Sequence, residues 1–220
     1  MAKINLTVTN ASNAFSEAEI EIIRAATVAA EQYLSKNFSF DYNVDVIVAP
    51  PSLLMATIPE DGITGRTYSS RLLVLVIDKQ QAEIKEDIVF EIICHEMSHS
   101  TRWEKVPEFA NTLFKNMILE GLAVVLEEKA LADTGRKNKQ FFLSTVQNTD
   151  QMTIDEIIDS LKPQFDSEQY DYERLFFWGD ESLPRWAAYR LGYYFVKKYM
   201  QENGISIEEA TLLSYKKFSS

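Results

Sequence analysis

The chain has 220 residues, of which 46% are apolar, and a formal net charge of -11 from 22 basic and 33 acidic residues. This length and apolar fraction are sufficient to bury one sizeable core, so the sequence predicts a folded domain and not a disordered chain. The acidic balance argues against nucleic acid or an anionic membrane as a partner, because both favour clustered Lys and Arg.

The cysteine content and the N-terminal sequence indicate the compartment. Cys94 is the single cysteine, so no intrachain disulfide can form, which fits a reducing compartment. The first ten residues lack the apolar stretch of a secretory signal, and no segment approaches about 18 uninterrupted apolar residues. We therefore expect a cytoplasmic chain without a membrane partner, in which Cys94 is an inert core residue and not a ligand or a reactive thiol.

The first part of the chain contains the predicted strands. A β-rich stretch at residues 4–8 precedes a helical pattern that starts after Ser16, a suitable N-cap residue. Alternation of Val and Ile with polar residues predicts a strand at residues 43–48, which ends before a Pro-Pro pair. Residues 63–77 predict one further, bent strand, in which Gly65 indicates a bulge or the close approach of another backbone.

Helical patterns dominate the rest of the chain. Apolar spacing predicts one long helix at residues 79–102, a break around Pro107, and a second long helix at residues 111–131. Shorter helical segments are expected at residues 141–146, 153–161, 186–199 and 206–218, with Gly204 as a C-cap.

The first long helix carries the sequence His95-Glu96-Met97-Ser98-His99. Two imidazoles four residues apart project from one face of a helix about one turn apart, which suits a single metal ion. The chain has only these 2 histidines. Glu96, beside the first, could act as general base on a metal-activated water. The alternative is a pair of core histidines, but two buried imidazoles beside a carboxylate need partners or a metal to offset their desolvation.

An acid interrupts the apolar face of the second long helix. Leu113, Met117, Glu120 and Val124 share this face, and Gly121 beside the acid suggests that another element packs closely there. Glu120 is interpreted either as the third protein ligand of the metal or as a salt-bridged acid at a helix interface. The absence of a third histidine favours the ligand, because a catalytic zinc site usually takes three protein ligands.

Three blocks of the sequence carry a resemblance to a known family. They are CHEMSHSTRW at residues 94–103, LEGLAVVLEE at residues 119–128 and PRWAAYRLGYYFVKKY at residues 184–199. With these blocks the chain resembles a bacterial family described as predicted zinc-dependent proteases of unknown function, and more broadly it looks like a small gluzincin of the thermolysin-like clan. The resemblance implies that His95, His99 and Glu120 bind one Zn2+ per chain and that Glu96 is the general base.

The same resemblance implies a zincin-like fold of the α+β class in a single domain of residues 1–220. A small twisted sheet would pack on the motif helix in an N-terminal α/β lobe of about residues 1–105. A helical C-terminal lobe of about residues 106–220 would carry Glu120. Strands that come early in the chain and helices that come later support this class independently.

The implied activity is a zinc-dependent peptidase that hydrolyses a peptide or protein substrate. An extended substrate could pair with the edge of the strand at residues 63–77. Negative charge develops on the substrate carbonyl oxygen and needs a donor, for which Tyr189, Tyr193 and Arg190 are candidates because both histidines are committed to the metal. Tyr189 is our choice as a catalytic residue, since it lies nearest to the start of its helix.

Two alternatives stay open. The chain could be a non-catalytic binding module that keeps the zincin scaffold and a structural metal, although such a site has no use for Glu96. Among zincin subclasses, a metzincin would continue to a glycine and a third histidine that this chain lacks. An aspzincin would use an aspartate as third ligand, for which Asp180 is the candidate.

Overall fold

A computed structural model describes residues 3–38, 40–51 and 57–219 of the protein. These residues form one mixed sheet of four strands together with seven α-helices, which confirms the predicted α+β class. The chain divides into two compact units. Unit 1 comprises residues 1–105 and 126–142, and unit 2 comprises residues 106–125 and 143–220.

Unit 1 contains the sheet. Its strands are β1 (Ile4–Val8), β2 (Val44–Ala49), β3 (Ile63–Ser69) and β4 (Leu72–Ile77). In the spatial order β1-β2-β4-β3, the first three strands are parallel and β3 is antiparallel to β4. Val44, Val46 and Val48 are buried, as expected for alternate residues that face a core. β3 therefore lies at one edge of the sheet.

The prediction of a single bent strand at residues 63–77 is wrong. This run folds back on itself as a hairpin, with Ile63 opposite Ile77 and a bulge between Thr67 and Ser69. A single strand over residues 63–77 would be between about two and three times as long as the usual five or six residues. In the hairpin, each half provides hydrogen-bond partners for the backbone of the other half, which explains why the chain turns.

Helix α1 (Glu17–Asn37) begins where the sequence predicts. The Ser16 side chain accepts a hydrogen bond from the Glu19 backbone N–H, and the Glu19 carboxylate accepts one from the Ser16 backbone N–H at 2.6 Å. These reciprocal bonds form a capping box, in which two donors of the first turn find partners. A local sequence signal was therefore sufficient to place the start of this helix.

Helix α2 (Glu86–Lys105) carries the two histidines and packs on α1, β3 and β4. Its predicted start at residue 79 is wrong, because the Gln81 backbone N–H bonds to the Asp78 carbonyl in a turn that precedes the helix. Between residues 88 and 102 every residue except His99 is buried. The polar side chains of α2 must therefore find partners inside the protein.

Cys94 lies within this buried part of α2. Burial raises the pKa of its thiol well above the usual value, so the reactive thiolate is disfavoured. Cys94 thus has the surroundings of an inert core residue.

Helix α3 (Leu113–Thr134) belongs to both units. Its residues up to Val125 group with unit 2, and those from Leu126 group with unit 1. The predicted apolar face is buried at Leu113 and Met117. Because α3 is one continuous helix, residues seven positions apart project from nearly the same side, two turns from each other.

Helices make up most of the rest of the described chain. They are α4 (Phe141–Gln147), α5 (Gln151–Leu161), α6 (Ala187–Asn203) and α7 (Ile207–Thr211), with short 3-10 turns at Lys162–Gln164 and Tyr215–Phe218 and a π-helical turn at Arg174–Trp178. Among the described residues, no helix combines the length and apolarity that crossing a membrane requires.

The predicted start of α6 at residue 186 is wrong, whereas its predicted C-cap at Gly204 is confirmed. The helix begins at Ala187 because Trp186 has a φ of 60°, a left-handed conformation that cannot lie inside a right-handed helix. Gly204 has a φ of 62° and caps the C-terminus, as predicted. The helix predicted at residues 206–218 is instead the short α7 followed by the 3-10 turn.

Within unit 2, α3 and α6 contact each other at two glycines. A Cβ atom added to Gly121 would lie 2.1 Å from the backbone carbonyl carbon of Gly192, and one added to Gly192 would lie 1.9 Å from the backbone oxygen of Met117. The two backbones are therefore in direct contact, which confirms the close packing expected at Gly121. This contact fixes α6 against α3 one residue from Glu120.

Candidate metal centre

His95 is held by an acid from α3 that sequence reasoning missed. Its Nδ1 lies 2.8 Å from Oε1 of Glu127, whose side chain is 0% exposed. Because a carboxylate accepts hydrogen bonds, Nδ1 carries the imidazole proton and Nε2 keeps its lone pair. A histidine in this tautomer is ready to bind a metal through Nε2, and such carboxylate partners are usual behind histidine ligands.

His99 lies one turn further along α2 and faces His95. The two Nε2 atoms are 3.2 Å apart. Two nitrogens that each lie about 2.0–2.1 Å from one tetrahedral zinc ion are separated by about 3.3 Å, so the observed distance fits a shared ion. His99 is only half-buried, whereas His95 is buried.

Glu120 completes a group of three potential ligands. One ligand atom from each of His95, His99 and Glu120 lies within 4.8 Å of the other two. The spacing along α3 explains this position, because Glu127 contacts His95 and Glu120 lies seven residues earlier on nearly the same side of the helix. Two imidazoles and one carboxylate are donors that zinc accepts, so this group could hold a metal ion.

Glu96 is directed at the edge strand β3. Its Oε2 accepts a hydrogen bond of 2.7 Å from the Thr67 hydroxyl. A Cβ atom added to Gly65 would lie 2.5 Å from Oε1 of Glu96. Another group therefore lies close to Gly65, but it is a side chain and not the backbone that the sequence predicted, and the bulge of this strand lies between Thr67 and Ser69.

A second buried acid, Glu91, lies one turn before His95 on α2. It is 0% exposed, and neither carboxyl oxygen makes a hydrogen bond of good geometry with the described residues. Burial raises the pKa of Glu91 to about 9, and the nearby charge of Glu127 adds to the shift. Glu91 is thus neutral at pH 7.

The predicted oxyanion donors lie on α6 in unit 2. The half-buried ring of Tyr189 packs edge-on against Phe176, with centroids 5.7 Å apart. Arg190 is engaged locally, since its Nε donates to the Arg185 carbonyl and its Nη1 donates to the Thr149 hydroxyl, both at 2.9 Å. These two bonds reduce the capacity of Arg190 to serve a substrate.

Asp180, the aspzincin candidate, has other partners. Its carboxylate pairs with Arg174 and accepts hydrogen bonds from the backbone N–H groups of Ser182 at 2.7 Å and Leu183 at 3.0 Å. The hydrogen bond from the Arg174 guanidinium makes the largest contribution to lowering the pKa of Asp180 far below its usual value. Asp180 therefore stabilises a turn, and it is not part of the group of His95, His99 and Glu120 that could hold a metal ion.

Tyr170 is a further phenol that the sequence did not single out. It lies in unit 2, where the Asn116 amide donates to its hydroxyl oxygen. Burial raises the pKa of Tyr170, and the charge of Glu120 contributes in the same direction. Its own hydroxyl proton is thus retained and can be donated.

The signals for the missed residues differ. Glu127 could have been found, because it follows Glu120 by seven residues on the same predicted helix. Thr67 and Tyr170 come from parts of the chain that are remote in sequence from the residues they serve, and no local pattern marks them.

The comparisons with known proteins agree with the chemistry of this group. A family model described as "Predicted Zn-dependent protease (DUF2268)" matches residues 7–220. This match confirms the family resemblance that the three sequence blocks indicated. No curated protein and no solved structure matches the chain.

Proposed function

Because the chain belongs to this family of predicted zinc-dependent proteases, we propose that it is a gluzincin-like peptidase that hydrolyses peptide bonds in a peptide or protein substrate. In this proposal His95, His99 and Glu120 hold one zinc ion. The observation that carries it is the convergence of two imidazole nitrogens and a carboxylate oxygen within 4.8 Å. We place the activity in the cytoplasm, the reducing compartment that a single buried cysteine fits.

Each protein group has a separate task in this reaction. A zinc ion held by His95, His99 and Glu120 would supply polarisation of the substrate carbonyl and activation of a water molecule. Glu96 would accept a proton from the attacking water and donate it to the leaving amine. Glu127 keeps His95 in the tautomer that presents Nε2.

The substrate is expected to pair with β3. An extended peptide can add to a sheet edge through main-chain hydrogen bonds. β4 lies between β2 and β3 and has no open side, whereas β3 pairs with β4 along one side. Among the described residues, the further backbone pairing of β3 is a single bridge between Ile63, its first residue, and Ile58. Glu96 lies against β3, so a peptide on this edge would run beside the general base.

The oxyanion donor is proposed to be Tyr189, with Tyr170 as the competing phenol. Removal of one such donor typically lowers kcat by about 100-fold or more. We expect Tyr189→Phe to lower kcat with little change in KM, because the bond strengthens only in the transition state. If Tyr189→Phe leaves kcat unchanged while Tyr170→Phe or Tyr193→Phe lowers it, the role belongs to that other tyrosine.

The metal ligands can be tested through zinc content. His95→Ala and His99→Ala should abolish stoichiometric zinc in elemental analysis, and Glu120→Ala should weaken its binding. Full zinc occupancy in all three variants would contradict the assignment. Glu128→Ala is a matched control, because it removes an acid from α3 outside the proposed ligand set.

The general base can be tested separately from the metal. Glu96→Gln should retain zinc and lose at least about 100-fold in turnover, the lower end of a general-base contribution. Cleavage of unstructured casein by the wild type, and its loss with a chelator, would establish the activity. A Glu96→Gln variant that loses its zinc would instead make Glu96 a ligand.

The alternative is a binding module with a structural metal. The presence of Glu96 argues against it, because a structural site needs no acid at that position. Zinc binding without cleavage of any member of a broad peptide library would favour the module.

A further inference from the structure

The edge strand β3 contacts the carboxylate of Glu96 on α2 at two of its residues. Gly65 and Thr67 are alternate residues of β3, so they face the same side of the strand. Arg66 and Tyr68, between and after them, are exposed on the other side. The strand therefore presents one position without a side chain and one hydroxyl to the proposed general base.

Thr67 contacts Glu96 twice. Its Oγ1 lies 2.7 Å from Oε2 of the carboxylate and 3.0 Å from the backbone oxygen of the same residue. A threonine hydroxyl has one proton to donate, and the shorter contact to the charged group is the stronger hydrogen bond. This bond occupies Oε2 and leaves the proton-accepting capacity of Oε1 unused.

Gly65 provides the space that this arrangement needs. A Cβ atom at residue 65 would lie 2.5 Å from Oε1, 2.6 Å from Cγ and 2.8 Å from the carboxylate carbon of Glu96. These distances are far shorter than a van der Waals contact of about 3.5–4.0 Å. Every side chain larger than hydrogen would displace the carboxylate, which is the movable end of a flexible side chain.

We propose that Gly65 and Thr67 are positioning residues that hold the Glu96 carboxylate in one rotamer for proton transfer. The inference rests on the proposed function, because it gives a reason for holding Glu96 in place. A glutamate side chain has several rotamers of similar energy, and a base must be within hydrogen-bond reach of the proton it takes. One bond at Oε2 and a fitted space beside Oε1 restrict that choice from two sides.

The first test removes the hydroxyl. In the zinc-loaded enzyme, Thr67→Val should lower kcat about tenfold, the effect expected from one hydrogen bond to a charged group. KM and zinc content should not change, because the Thr67 side chain faces Glu96. Thr67→Ser restores the hydroxyl and should recover kcat to within about twofold.

The matched control is Thr27→Val. Thr27 is a buried threonine of α1 whose hydroxyl donates to the Ile23 carbonyl at 2.8 Å. Its loss removes a buried hydroxyl of the same type without touching Glu96. We expect an effect on stability similar to that of Thr67→Val and no effect on kcat, which separates positioning from general destabilisation.

The second test fills the space. Gly65→Ala should retain zinc and lower kcat by more than Thr67→Val, because the added methyl displaces the carboxylate itself. In a Glu96→Gln background, neither Thr67→Val nor Gly65→Ala should reduce the residual rate further, since their effect passes through the Glu96 carboxylate.

A structural readout decides the inference independently of turnover. Crystal structures of the zinc-loaded wild type, Thr67→Val and Gly65→Ala should show the Glu96 carboxylate in one rotamer only in the wild type. An unmoved, singly ordered Glu96 in both variants would overturn the inference, as would an unchanged kcat in both. If the wild type cleaves no peptide, the proposed function fails, and the crystal structures still decide whether β3 holds Glu96.

Discussion

Helix α2 has two polar faces that are buried in different ways. One face carries Glu91 and His95 toward α3, where Glu127 meets His95 at 2.8 Å. The other face carries Glu96 and Ser100 toward β3 and its turn. Both faces lie within unit 1, on the same helix, so their differences come from their partners and not from the helix itself.

The β3-facing side is satisfied by hydroxyl groups. Ser100 donates to the Ser70 carbonyl at 2.7 Å, and the Tyr42 hydroxyl lies 2.7 Å from the Ser100 oxygen and 3.1 Å from that of Thr101. These are neutral groups with mutual partners. Burying a polar group that keeps a hydrogen bond has a small free-energy cost. This network therefore holds α2 in place without much loss of folding stability.

The β3-facing side also buries one carboxyl group, that of Glu96, which accepts from the Thr67 hydroxyl, whereas the α3-facing side buries two carboxyl groups completely. Glu91 and Glu127 are both 0% exposed. A charged group in the interior is expensive unless it is paired or neutralised. Here Glu127 is paired with His95, and Glu91 is neutral because its pKa is raised. This indicates that the two buried acids serve the candidate metal centre and do not stabilise the fold.

The largest expected effect comes from Glu91 and its dependence on pH. An unfolded glutamate ionises above about pH 4.5, whereas the folded Glu91, with a pKa of about 9, stays protonated. Between these values the unfolded state gives up a proton that the folded state keeps, so stability falls as pH rises. In Glu91→Gln this contribution disappears.

Chemical denaturation of the metal-free protein at pH 5.5 and pH 8.0 measures the effect. At about 1.4 kcal/mol per pH unit, the wild type should lose about 3 kcal/mol more than Glu91→Gln between these two values. Glu83→Gln, which removes an exposed acid before α2, controls for the loss of one carboxylate. Equal pH dependence in wild type and Glu91→Gln would show that Glu91 ionises in the folded protein.

An intermediate effect is expected for Glu127→Gln. The amide can still accept from Nδ1 of His95 but has no charge, so the imidazole becomes a weaker ligand. Loss of such a partner typically lowers metal affinity about 10–100-fold, which equals about 1.4–2.7 kcal/mol. Competition with a chromophoric chelator measures the affinity.

The neighbouring Glu128→Gln is the control for Glu127→Gln, because residue 128 projects about 100° away around α3. Zinc affinity that falls equally in both variants would mean that the general charge of α3, and not the contact with His95, is responsible.

The smallest effect is expected on the β3-facing side. Tyr42→Phe removes one neutral hydroxyl, while Ser100 keeps its bond to the Ser70 carbonyl. We expect a loss of about 1 kcal/mol in unfolding free energy with unchanged zinc affinity and turnover. Tyr68→Phe, on an exposed tyrosine, should change neither quantity. A large fall in zinc affinity in Tyr42→Phe would remove the distinction between the two faces.

Local sequence signals predicted the elements whose cause is local. The N-cap residue Ser16 placed the start of α1, and a β-rich stretch placed β1 at residues 4–8. The four-residue spacing placed His95 and His99 on one face of α2 about one turn apart, because helix geometry sets that placement. The family assignment was also available from motifs, and the family model confirms it.

Tertiary structure decided everything that depends on which distant segments meet. Residues 63–77 fold as a hairpin because two short halves pair with each other, a choice that the β-rich composition of either half does not reveal. The same hairpin brings Thr67 to Glu96, and α3 brings Glu127 to His95. These partners are separated by about thirty residues or more in sequence, and periodicity reports only the face on which a residue lies, not the partner that this face meets.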